Sequence, residues 1–178
     1  MPDPAPAMDP VFILIYNQIE RVSEEIEKGA RFLEKQEAIR NLYPEDGSWI
    51  IGNSLAIALL NSYNWLERAL EHVAVYVDDF NPSGAGASFK LLEQMTRETS
   101  LRPAVLTPEL HVVLYDLRRL RHALLHGYEN PIIAENLVER FGSFRQEFWP
   151  SFLESMERVR DYLESEEDSD DANRSKSS

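Results

Sequence analysis

Apolar residues in this chain recur at spacings of three and four, and no stretch alternates with a period of two for long enough to build a sheet. Phe12, Ile15, Ile19, Val22, Ile26, Ala30 and Leu33 form the first stripe, with Glu20, Arg21, Glu24, Glu25, Glu27 and Lys28 between them. The spacing predicts one amphipathic helix from Val11 to Leu42, started by Asp9 and Pro10 and stopped by Tyr43-Pro44 and Asp46-Gly47. Ser48 is expected to cap a second long helix whose stripe, Leu55, Leu59, Tyr63, Leu66, Leu70, Val73 and Val77, ends near Asp78-Asp79. Helices joined by so short a turn lie antiparallel.

The run Asn81-Pro82-Ser83-Gly84-Ala85-Gly86-Ala87 reads as a loop, and Ser88 to Arg97 behind it as a short helix. Thr107-Pro108-Glu109 supplies a cap, a first-turn proline and an early acid, and begins a helix that runs to His126 or Gly127. Tyr128-Glu129-Asn130-Pro131 breaks it. A last stripe, Leu137, Phe141, Phe144, Phe148, Phe152, Met156, Val159 and Leu163, contains Pro150, which frees the carbonyl of Gln146 and predicts a kink. The fold class is therefore all-α, an antiparallel bundle of four long helices and one short one over residues 10–163. Residues 1–9 are expected to be flexible, and 164–178, rich in Ser, Asp and Glu, to form a disordered acidic tail.

Composition narrows the chemistry. The chain has no Cys, which removes disulfides, cysteine nucleophiles and thiolate metal sites together, and nothing argues for an oxidising compartment. The apolar run Val11 to Tyr16 is too short for a signal or a membrane span, so a soluble cytoplasmic protein is expected. Net charge is −13, of which −4 lies in the tail, so any attraction to a polyanion must come from a local basic patch.

That patch is the segment Tyr115 to Tyr128, YDLRRLRHALLHGY, with three arginines and two histidines against one acid. At 100° per residue, His111, Tyr115, Arg118, Arg119, His122 and His126 fall in a sector of about 100°. Leu110, Leu114, Leu117, Leu124 and Leu125 mark the opposing apolar stripe, and Arg121 lies inside it. Two readings of Arg121 stand at this point. It reaches a carboxylate on a neighbouring helix, or it faces a cleft where its planar fork of donors grips a phosphate. His126 follows five residues later near the helix end, and a histidine can take and return a proton at neutral pH, as transfer from a ribose 2′-hydroxyl needs. Residues five apart on a helix differ by about 140° in azimuth, so Arg121 and His126 of one chain diverge, and a two-fold dimer is expected to bring one copy's arginine to the other's histidine.

His122 and His126 have the i, i+4 spacing of helical metal ligands, but Ala123 stands where a zinc-protease glutamate belongs and no third ligand follows. No metal or other cofactor is expected. His72 and His111 are read as structural. No Gly-rich phosphate loop, serine elbow or dinucleotide fingerprint occurs.

The run Arg121-His122-Ala123-Leu124-Leu125-His126-Gly127-Tyr128 fits the Arg, four residues, His, one residue, Tyr pattern of HepT-like toxins in the HEPN ribonuclease superfamily. The flanking run from Ser88 to Met95 and from Arg102 to Leu110 also resembles these domains, and the resemblance spans roughly Leu55 to Leu163. It implies a dimeric HEPN-like bundle that is a metal-independent endoribonuclease acting on transfer or messenger RNA. It further implies an MNT-type nucleotidyltransferase antitoxin as partner. On this resemblance Arg121 stabilises charge on the scissile phosphate, His126 acts on the 2′-hydroxyl, and Tyr128 is the residue the antitoxin AMPylates. Arg118, Arg119 and His122 would hold RNA or support the site, with His122 standing where many members have Asn. The alternative is a catalytically silent HEPN-like module for dimerisation and partner binding.

Overall fold

The computed structural model describes residues 10–126 and 134–176, without the side chains of 126, 134–135 and 167–176. The expected flexibility of residues 1–9, and everything predicted for Tyr128, fall outside the described residues. Every regular element among the described residues is helical: α1 (Pro10–Glu34), α2 (Gln36–Leu42), α3 (Gly47–Tyr76), α4 (Ala87–Met95), α5 (Pro108–His126), α6 (Ala134–Ser143), a π-helical turn (Phe144–Phe148) and α7 (Trp149–Lys176). No helix among them is long and apolar enough to cross a membrane.

The first helix is shorter than its periodicity suggests. Instead of running from Val11 to Leu42 it stops at Glu34, and α2, which buries no residue, begins at Gln36. The stripe accounts for the break, since the segment Glu34 to Glu37 offers no apolar side chain to hold a straight continuation against the core. The turn into α3 is tight enough to demand glycine. A Cβ on Gly47 would press on the backbone of Arg40 and Ile39, and Asp46, rather than Ser48, occupies the cap position, with no side-chain cap bond.

α1 and α3 make the most extensive helix pairing. Phe12, Ile15, Ile19, Val22 and Ile26 are buried there with Leu55, Leu59, Tyr63, Leu66 and Leu70. One polar clamp crosses the pair, where Glu25 accepts from Lys28 Nζ at 2.6 Å and from Asn61 Nδ2 at 3.1 Å. Gly29 of α1 makes room for α6, because a Cβ there would overlap the ring of buried Phe141.

Thr107 caps α5 as its position requires, its Oγ1 accepting from Leu110 N at 3.3 Å and its carbonyl from His111 N at 2.9 Å. The Glu109 carboxyl is held below the usual range by its own backbone N–H and by the Thr107 hydroxyl. On the inner face of α5, Leu110, Leu114 and Leu117 are buried as expected, but Leu125 is exposed and Leu120 takes the place it was given. Both histidines read as structural have partners: His72 stacks on Tyr76, and His111 Nε2 sits 3.0 Å from Glu93 Oε1, an ion-pair distance without hydrogen-bond alignment.

Pro150 is accommodated by a wider turn immediately before it. Trp149 N donates to Phe144 O, five residues back, through the π-helical turn, and the rings of Phe144, Phe148 and Phe152 stack in succession at 5.0 and 5.7 Å. The π bulge lets the chain pass a proline with no helix end between α6 and α7. The backbone of α7 stays helical to Lys176, past Glu164, where a disordered tail was expected to begin; no Gly or Pro follows Pro150 to stop it.

A buried ion pair ties down the irregular stretch between α4 and α5. Arg102 is completely buried, with Nε and Nη2 donating to the two oxygens of Asp78 at 2.7 and 2.6 Å. Its Nη1 donates to the carbonyls of Arg97 and Pro103, both at 3.1 Å. The fork is thus satisfied from three sides, which is what burying a guanidinium requires.

Candidate functional site

Arg121 sits on α5 facing α3. Its Nη1 lies 3.5 Å from Glu67 Oε2, and its guanidinium carbon lies 5.9 Å from the centre of the Tyr63 ring. Tyr63 and Glu67 are one helical turn apart on α3, which puts both side chains on the face that meets α5. Glu67 divides its two oxygens. Oε1 accepts from the Tyr63 hydroxyl at 3.0 Å and, in a very short contact, from Ser88 Oγ of α4, while Oε2 meets the arginine. Ser88 and Tyr63 are themselves 2.8 Å apart. Three helices therefore converge on one carboxylate.

Burial, offset in part by the Ser88 hydrogen bond, drives the Tyr63 phenol far above its ordinary range, so it remains a donor to Glu67 at any working pH. Arg121 keeps 35% of its side chain exposed against 15% for Glu67 and makes one hydrogen bond among the described residues. Most of its donor fork is thus unspent among the described residues.

Of the two sequence readings of Arg121, the contact with a carboxylate on a neighbouring helix is present. Arg118, expected beside it, lies over two aromatic rings, Tyr115 at 5.1 Å and Phe89 of α4 at 5.8 Å. Arg119 is exposed, 3.7 Å from Asp116. His122 is exposed one residue beyond Arg121. His126 ends α5 as a helical residue, and its side chain and Tyr128 lie outside the described residues. The structure thus gathers Arg118 and Arg121 near α4, leaves Arg119 in solvent, and carries His126 at the close of the same helix.

Glu67, Tyr63 and Ser88 have no mark in the sequence as site residues. Tyr63 reads as core stripe, Glu67 as one acid among many on a helix surface, and Ser88 as the start of a short helix. A polar residue one turn from a stripe tyrosine is the only local signal, and it is weak without the fold. Among the described residues no three His, Asp or Glu side chains are grouped to hold a metal ion.

The family model described as HepT-like protein matches residues 54–163, more than half of the chain, from the middle of α3 to the body of α7. The chain is a member of the HepT-like family of the HEPN superfamily. The matched segment of this HepT-like protein contains Tyr63, Glu67, Ser88, Arg118, Arg121 and the end of α5. Comparison with curated proteins and with solved structures finds no match.

Proposed function

We propose that this HepT-like protein is the toxin of a toxin–antitoxin pair, a metal-independent endoribonuclease acting on transfer or messenger RNA in the cytoplasm. The observation that carries the reading is Arg121. Its guanidinium is held by a single carboxylate contact, its remaining donors are unspent among the described residues, and it lies on the helix that His126 closes. Family membership supports the same chemistry.

In the proposed reaction His126 takes the proton of a ribose 2′-hydroxyl. The freed oxygen attacks the adjacent phosphorus, the P–O bond to the 5′-oxygen of the next nucleotide breaks, and that oxygen leaves with the proton the imidazolium returns, producing a 2′,3′-cyclic phosphate. Arg121 stabilises the charge that builds on the phosphoryl oxygens, where a fixed cation contributes most. The helical azimuth separates Arg121 from His126 within one chain, so the working site is assigned to a homodimer in which the two copies exchange these residues. Arg118, Arg119 and His122 lie along the same helix and support RNA or the site. Tyr128, two residues beyond His126, is assigned as the AMPylation site of an MNT-type nucleotidyltransferase antitoxin, whose added phosphates would repel RNA from the cleft.

One observation favours a second reading, a silent dimerisation and partner-binding module: Arg121 already has a carboxylate partner at 3.5 Å. The test is incubation of the unmodified chain with total RNA and transfer RNA in EDTA, beside Arg121→Ala and His126→Ala chains of unchanged size. Cleavage by the parent alone is expected. Intact RNA in every lane selects the silent module. For the switch, co-expression with the antitoxin should add adenylate mass to the parent and none to Tyr128→Phe.

A further inference from the structure

The groove between the end of α3 and α4, about 810 Å³ in volume, lies outside the Arg121 cluster. Its walls include Phe80, Pro82, Phe89, Lys90, Arg97 and Leu101. Phe80 is 63% exposed, yet its backbone is fixed at both ends. Its N–H donates to Ala74 O at 2.9 Å, and its carbonyl accepts from Gln94 Nε2 at 3.0 Å. Asp79 before it adopts φ 50°, a left-handed conformation that Asp tolerates better than most residues, and this turns the ring out of the helix line. An aromatic ring presented to solvent on an anchored backbone is organised before any ligand arrives.

The charges of this groove are unlike those of the chain as a whole. Of its two carboxylates, Asp78 is paired by buried Arg102 and bonded by Gln94, while Glu93 lies 3.0 Å from His111 Nε2 without hydrogen-bond alignment and keeps its charge. Its two cations, Lys90 and Arg97, are exposed and form no ion pair among the described residues. In a chain of net charge −13 the groove lining thus sets two exposed cations against the one carboxylate of Glu93, beside aromatic faces. The groove also connects to the Arg121 cluster. Phe89 meets Tyr115 edge-on at 6.2 Å and lies under Arg118, while its neighbour Ser88 bonds Glu67, the partner of Arg121.

We infer that this groove is a subsite for unpaired RNA, in which a base stacks on Phe80 and the flanking phosphates meet Lys90 and Arg97. Stacking on an exposed ring needs a base free of its complement, and cations on either side follow the backbone, the combination that single-strand binding surfaces use. The substrate strand then runs from Arg121 past Arg118 and Phe89 into the groove. A duplex cannot offer an unstacked base and is excluded from the subsite. The inference rests on the ribonuclease reading for its substrate class, and binding and cleavage are measured separately so that each can fail alone.

The test uses the full chain carrying His126→Ala, so that RNA survives, and fluorescence anisotropy with a labelled unpaired oligouridylate of about 12 nucleotides and with a duplex of equal length. Phe80→Ala is expected to weaken oligouridylate binding about fivefold or more and Phe80→Trp to restore it, with duplex binding unmoved. Lys90→Ala with Arg97→Ala should flatten the dependence of log affinity on log salt by about 1.4, two phosphate contacts' worth. Phe80, Lys90 and Arg97 are exposed, and thermal melts check that each variant folds as the parent does. Unchanged affinity and salt slope in these variants, or a parent that binds no unpaired RNA, overturns the subsite. Cleavage by the unmodified chain with unaltered binding in the variants removes the subsite and leaves the nuclease. Groove-dependent binding without cleavage does the reverse.

Discussion

Arg121 and Glu67 stand 54 residues apart in sequence and meet at 3.5 Å, and the carboxylate that receives the arginine is held on its other oxygen by Tyr63 and Ser88. The arginine is thereby positioned by a network that spans three helices. Partial exposure keeps the pair from being a deep interior ion pair, so its electrostatic contribution is modest and its geometric role dominates.

A double-mutant cycle on Arg121→Ala and Glu67→Gln is expected to return a coupling of about 0.5–1 kcal/mol in urea denaturation. Gln at 67 can still accept from Tyr63 and Ser88, so that variant isolates the charge. In the RNA assay Arg121→Lys should lose at least about tenfold in cleavage rate while melting close to the parent, because ammonium replaces charge but not the fork. Equal cleavage by the lysine variant would remove the geometric argument.

Arg102→Met should be among the most destabilising single changes in the chain. It leaves the Asp78 carboxylate nearly buried with no cation and only the Gln94 amide as partner, a loss of about 3–5 kcal/mol in chemical denaturation. Replacing both partners, as Arg102→Met with Asp78→Leu, is expected to recover much of that loss. A single variant that melts with the parent contradicts the assignment of this pair as the anchor of the α4–α5 connection.

Gly29→Ala sets helix propensity against packing. Alanine gains about 0.5–1 kcal/mol within a helix, but its methyl group would overlap the Phe141 ring, and overpacking costs about 1–3 kcal/mol. The expected outcome is net destabilisation by denaturant titration, relieved when Phe141→Leu is added. Stabilisation by the alanine alone would show that α6 moves aside freely.

The Glu71 carboxyl is pushed above its ordinary range, first by burial and then by the charge of Glu67, with Arg68 opposing. A raised value in the fold means the folded state holds the proton more tightly than the unfolded chain. Ionising Glu71 therefore costs stability above its folded pKa, and that cost vanishes below the unfolded value of about 4.3. Glu71→Gln should raise the melting temperature at pH 7 by about 1 °C, a small effect because the group is largely solvated. The two chains should melt together near pH 3.5. A gap that persists at acid pH would place its origin in packing instead of charge.

Helix content was legible in the sequence because the apolar spacing is local: each turn of α3 and α5 carries its own instruction, and Thr107-Pro108 marks a start within three residues. The break at Lys35 was not, since no Gly or Pro marks it and the missing apolar side chain across Glu34 to Glu37 is a short gap inside a longer periodic run. Leu125 is exposed and Leu120 buried for a similar reason, the wheel fixing relative azimuth but not where the neighbouring helices stop. At the site, Arg121 declared itself by being a charge in an apolar stripe. Its brace did not, because Glu67 is distinguished only by neighbours that arrive from α4 and α5.

The π-helical turn has a consequence for how one rod serves two partners. On an unbroken α-helix the steps of four from Phe144 through Phe148 and Phe152 to Met156 would drift steadily around the axis, by about 40° each. The wider turn absorbs part of that drift, so α6 can dock Phe141 against α1 while the rings beyond it still point inward beside α5. The extra residue acts as a phase adjuster between two packing problems that a single helical register could not solve together, and Pro150, which cannot use the carbonyl bond the bulge gives up, sits where that adjustment is least disruptive.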